Sequence, residues 1–133
     1  MLLSAAVMKR LPYWLPALAW ATLIFWLSSR TALPQVGPSL PQMDKVEHAL
    51  AYAMLGGWIV WALRQGHGLA LPKTLVLAML LTSAYGATDE LHQQFVPHRT
   101  CDVWDWAADT AGGALAAAAW LTYESRRSPK ATR

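Results

Sequence analysis

Residues 44–63 read DKVEHALAYAMLGGWIVWAL, with every charged residue in the opening turn and none from Ala49 to Leu63. A segment that is polar for one turn and then apolar to its end fits a helix entering a membrane through a polar mouth. At 100° per residue Asp44, His48, Tyr52 and Leu55 fall within about an 80° arc, with Lys45 at its edge. The outer end of this helix therefore presents one polar face. The rest of the chain is read outward from it.

On the N-terminal side, residues 11–27 read LPYWLPALAWATLIFWL and carry no charge. The run matches the roughly 17 to 25 residues that cross a bilayer as a helix. A signal peptide is the competing explanation, but its apolar core spans only about 7 to 15 residues, and no small-x-small cleavage site follows Ser29. Between the two segments, Pro34, Pro38, Pro41 and Gly37 prevent a continuous helix and define an external loop. On the C-terminal side, Gly66, Gly68 and Pro72 mark a tight connection. A third helix is expected over residues 71–89 and a fourth over 102–123, whose second half, ALAAAAWLTY, is apolar.

Composition agrees with a membrane scaffold: hydrophobic residues make up 55% and charged residues 14%, against the roughly 25% charged of a soluble domain. The expected fold is an all-α integral membrane protein, a small antiparallel bundle of four transmembrane helices at about 11–28, 44–63, 71–89 and 102–123. Residues 1–10 form a leader and 124–133 a polar tail expected to be disordered. Lys9, Arg10, Arg64, Lys73, Arg126, Arg127, Lys130 and Arg133 fall on one side of these spans, and Arg30, Lys45 and Arg99 on the other. The positive-inside rule places the first set, and both termini, in the cytoplasm. A pI of 9.3 therefore reflects topology rather than a nucleic-acid surface. Lone Cys101 makes no intrachain disulfide.

Polar chemistry concentrates in residues 89–113, DELHQQFVPHRTCDVWDWAADTAGG. Asp102, Asp105 and Asp109 follow i, i+3, i+7 spacing and continue as Gly112, Gly113 and Ala116, so acid and small residues share one helix face. Small residues permit close helix contact, which turns this face toward other helices. Asp109 would lie roughly 9 Å inside the fourth helix at 1.5 Å per residue, and an intramembrane acid marks a functional site by default. Asp44, Glu47 and Asp102 also suit helix N-termini and surface positions, where a carboxylate meets free amide groups. That structural role does not account for His on two helices facing an acidic stripe. The candidate catalytic residues are His48, Glu90, Asp105 and Asp109. Candidate ligand-binding residues are Asp44, Lys45, Tyr52, Asp89, His92, Gln93 and Arg99, with Tyr52 serving either packing or hydrogen bonding. His67 and His98 read as solvated loop residues.

Three ordered blocks, DKVEHALAYAMLG, DELHQQFVPHR and DVWDWAADTAGG, resemble the VanZ-like membrane protein family. The resemblance runs from the Ser28 and Ser29 pair to Gly112 and Gly113. It implies motif positions at Asp44, Lys45 and His48, at Asp89, Glu90, His92 and Gln93, and at Arg99, Asp105 and Asp109. Two departures stand out: His98 replaces a Gly before Arg99, and Asp109 stands where Asn is frequent. The family's founding member is associated with low-level teicoplanin resistance, and the resemblance supplies no accepted reaction.

The expected function is that of a bacterial inner (cytoplasmic) membrane protein whose outward site binds or modifies a polar lipid or cell-wall precursor. Lys45 and Arg99 would hold an anionic headgroup, while His48 with Glu90 or Asp105 would move a proton. The alternative is a non-catalytic helical module controlling envelope or glycopeptide access. A proton or ion pathway ranks below both, because the second and fourth helices turn apolar past their outer halves. Expected partners are membrane lipids and an anionic lipid or precursor, with no nucleic acid. Enzyme status and cofactor stay unassigned. A divalent metal held by His and carboxylates is a variant, although no His-Glu-x-x-His helix and no Cys pair is present.

Overall fold

A computed structural model describes residues 5–31 and 42–127. The expected proline-rich loop, much of the leader and the end of the tail, with Lys130 and Arg133, lie outside the described residues. Four α-helices run in order: α1 over Ala5–Ser28, α2 over Met43–Trp61, α3 over Leu71–Gln93 and α4 over Val103–Arg127. A π-turn over Ala62–Gly66 extends α2. The helices differ from their expected bounds mainly by extension: α1 starts before Leu11 and carries Pro12 and Pro16 inside it, α3 continues to Gln93, and α4 continues past Tyr123. Two helical segments, Val7–Ser28 and Met43–Gly66, are long and apolar enough to cross a membrane.

Contacts between helix ends give the topology. Ser28 at the end of α1 meets Asp89 near the end of α3, and Lys45 at the start of α2 meets Asp102 and Asp105 at the start of α4. Successive helices are therefore antiparallel, and α2 runs parallel to α4. At the other end the Arg64 guanidinium donates to both Glu124 oxygens at 2.8 and 3.0 Å and to the Leu69 carbonyl. Glu124 also accepts from the Trp120 indole at 3.0 Å. That indole donor, reinforced by Arg64 against a smaller cost of leaving water, holds the Glu124 carboxyl below its ordinary 4.5.

Small residues set the helix spacing. A Cβ on Gly112 would collide with the Ala49 carbonyl oxygen and come within 2.8 Å of Ala53 N. One on Gly56 would meet Ala116 Cβ at 3.1 Å and Gly113 Cα at 3.2 Å. The acid-to-glycine stripe of α4 thus packs face-on against α2, as its composition favours.

Burial departs from that of a water-soluble bundle. Thr74, Thr82, Asp89, Glu90, Gln93 and Asp109 are buried, while Leu15, Leu18, Leu50, Leu80, Leu115 and Leu121 are each at least half exposed. Scattered apolar residues on a surface need no explanation, but buried charge together with leucine-rich outer faces does. The inner apolar cluster centres on Tyr52, Leu55, Val60 and Ala78.

Candidate functional site

The charged ends of α2, α3 and α4 meet at the end of the bundle that also holds Ser28. Lys45 extends across from α2 and reaches three carboxylates, Asp44 at 2.9 Å, Asp102 at 2.7 Å and Asp105 at 2.5 Å. Asp102 does cap α4, since its Oδ1 accepts the Trp104 amide at 2.8 Å. Its own amide donates to Glu90 Oε2 at 2.9 Å, which ties the loop before α4 to α3.

His48 lies one turn along α2 from Lys45 and turns to the same neighbours. Its Nδ1 is hydrogen bonded to Asp109 Oδ1 at 2.9 Å, and its Nε2 stands 3.9 Å from Asp105 Oδ2. Asp109 is fully buried, and its second oxygen, Oδ2, has no hydrogen-bond partner among the described residues. The carboxyl sits on Gly86, where an added Cβ would come within 2.7 Å of Oδ2. Glycine in α3 makes room for this acid. One ligand atom each from His48, Glu90 and Asp109 lies within 4.8 Å of the others, so this trio is the group of described residues able to hold a metal.

Because α3 continues through Gln93, Asp89, Glu90 and Gln93 all turn inward and are buried. Asp89 accepts from Ser28 Oγ at 2.6 Å, and the Gln93 amide donates to both Asp89 and Glu90 at 3.3 Å. His92 faces another way. It stacks on Phe25 at 4.5 Å and is hydrogen bonded to Ser29 Oγ. An offset of two helical positions from Glu90 turns His92 about 200° around α3.

A cavity of about 290 Å³ opens beside these groups, lined in part by Ser28, Asp44, His48, Tyr52, Asp89 and Arg99. The Tyr52 ring is parallel to His48 at 6.4 Å, and its buried hydroxyl has no hydrogen-bond partner among the described residues. Arg99 donates through Nε to the Arg30 carbonyl at 3.1 Å, while its buried Nη2 has no partner among the described residues. The site therefore joins an imidazole oriented by a buried acid, a phenol and a guanidinium edge with donor capacity to spare. Such a set can bind an anion and move a proton near it.

Of the sequence candidates, His48, Glu90, Asp105 and Asp109 are brought together, and Asp44, Tyr52, Asp89, Gln93 and Arg99 line the adjoining cavity. Lys45 serves the carboxylates at the mouth, and His92 stands apart. Ser28 and Gly86 were not among the candidates. Ser28 left a trace, a hydroxyl closing an otherwise apolar run; Gly86 left none. His67 departs from the solvated role expected for it, because its Nε2 accepts the Trp14 indole at 3.0 Å. His98 is exposed and adopts φ 64°.

The VanZ/LLP1 family model matches residues 13–124, nearly the whole described bundle. The chain belongs to the VanZ/LLP1 family. No curated protein and no solved structure gives a significant match. Membership, with two helical segments apolar enough to cross a bilayer, makes this VanZ-like chain a membrane-associated protein. The left-handed backbone at His98 fits its place in the motif: the departing position is one where Gly adopts positive φ without a Cβ clash.

Proposed function

We propose that this VanZ-like chain is a multi-pass protein of the bacterial cytoplasmic membrane. All four helices span it, both termini are cytoplasmic, and the cavity faces outward to bind the anionic headgroup of a polar lipid or cell-wall precursor. That pattern of burial supports the spans, and the division of Lys and Arg between the two ends supports the orientation. The observation that carries the binding assignment is the buried Nη2 of Arg99, without a hydrogen-bond partner among the described residues, beside a cavity of about 290 Å³. A guanidinium with spare donors is suited to phosphate or carboxylate. His48, oriented by Asp109, is the group placed to exchange a proton with the bound headgroup.

The test is headgroup binding by native mass spectrometry of the protein released from nanodiscs containing phosphatidylglycerol and phosphatidylcholine. Retention of the anionic lipid should fall at least about tenfold in Arg99→Gln, the scale of one lost charge-assisted contact, with the helical content unchanged. Equal retention of both lipids by wild type and variant would remove the assignment. Incubation of the wild type and His48→Ala with lipid extract then separates the two remaining readings. A His48-dependent product identifies an enzyme, and binding without product identifies a binding module.

A further inference from the structure

We propose that His48, Glu90 and Asp109 hold one first-row divalent cation, of the Zn²⁺ or Mn²⁺ type, beside the cavity, which His48 of the three lines. The inference rests on the outward-site reading above only for its role, which is to set positive charge next to the headgroup pocket.

Three features carry it. The first is charge. Asp89, Glu90 and Asp109 are buried at 3%, 3% and 0% exposure, yet Lys45 is already shared among Asp44, Asp102 and Asp105. The inner acids are left with neutral donors from Ser28, Gln93 and the Asp102 amide, and with His48. Buried charge is ordinarily paired or bound to a metal. The second is Asp109 Oδ2, whose lone pairs find no hydrogen-bond donor among the described residues. Tyr52, stacked beside His48 at 6.4 Å, adds a second buried oxygen with no hydrogen-bond partner among the described residues.

The third feature is geometry. Two ligands about 2.1 Å from one ion and at right angles to it stand about 3 Å apart, and His48 Nδ1 is 2.9 Å from Asp109 Oδ1; a bound ion would replace the proton of that hydrogen bond and leave Nε2 as the proton-exchanging nitrogen of His48. The 4.8 Å limit for the trio is near the about 4.2 Å between opposite ligands at that bond length, a difference that side-chain rotation closes. One imidazole and two carboxylates suit zinc and manganese better than calcium, which prefers oxygen alone. The ligands come from three different helices, so the ion would also clasp α2, α3 and α4 at their outer ends.

The experiment uses the full chain in nanodiscs, stripped with chelator and titrated calorimetrically with Zn²⁺ and with Mn²⁺. Wild type should take up one equivalent of at least one of them. Glu90→Gln and Asp109→Asn, both near-isosteric, should weaken it by more than the roughly 10- to 100-fold that loss of a mere supporting group costs. His98→Asn, at an exposed position where Asn tolerates positive φ, should bind as wild type does. Mn²⁺ broadening of the His48 ring resonances reads the same site with no substitution in it, so a variant that fails to fold does not decide the matter. No stoichiometric uptake of either ion, or broadening confined to His67, His92 and His98, overturns the metal site. Loss of the metal with Arg99-dependent lipid retention intact leaves the headgroup reading standing; metal binding without lipid retention does the reverse.

Discussion

Lys45 is the residue on which the mouth of the site closes, because one ammonium faces three carboxylates from two helices. Its side chain is 27% exposed, so each pair is worth only the roughly 0.2 to 1 kcal/mol of a solvent-facing ion pair. Lys45→Met should destabilise the protein by about 1 to 2 kcal/mol, measured by denaturant unfolding in micelles. The double variant Lys45→Met with Asp105→Asn should lose less than the sum of the two single changes, since the second removes a charge the first leaves unpaired. Strict additivity would show that Lys45 and Asp105 do not interact. Sequence spacing alone could put Lys45 at the edge of a polar face. It could not distribute Lys45 to the mouth and Arg99 to the cavity, since both are cations in the same outer region and only the packing separates them.

At the scale of the element, α4 presents a stripe that changes character along its length, acids at one end and glycines below. The stripe was legible as a periodic pattern, and its direction toward other helices followed from residue size. Which helix it meets did not follow. Gly112 backs onto the α2 main chain at Ala49 and Ala53, while Gly86 of α3 seats Asp109. Gly112→Ala should force α2 and α4 apart and cost about 1 to 3 kcal/mol, as other overpacked contacts do. Separation should also lengthen the His48 to Asp109 bond, so reduced thermal stability is expected together with a changed His48 ring resonance. A stable variant with an unchanged His48 signal would show that the crossing is not set by this glycine. Helix ends were the least legible part of the elements. The α3 helix runs past Thr88 because Asp89, Glu90 and Gln93 find partners in Ser28, the Asp102 amide and one another, all of them distant or side-chain contacts that local propensity does not encode.

For the whole molecule, the two ends of the bundle differ in chemistry: Arg64 and Glu124 with Trp120 at one, the histidine and acid cluster at the other. Cys101 belongs to the cluster end and is exposed, so it reports that end directly. An impermeant thiol reagent added outside intact cells should label Cys101, and labelling confined to inverted vesicles would reverse the proposed orientation. What the sequence by itself determined is the helical class, the presence of apolar segments of membrane length, the family and the stretch that carries the polar groups. The class, the segments and the polar stretch depend on composition, charge placement or periodicity along one chain, and the family on the resemblance of three ordered motifs, matched by the family model over residues 13–124. What only the tertiary structure decided is which acids share a site: Asp109 with His48 on a glycine seat, Asp89 with Ser28, Lys45 at the rim, and His92 excluded toward Phe25. Those pairings depend on how far each helix continues and on how closely its glycines let the next backbone approach, and these are properties of the packed bundle rather than of any one segment.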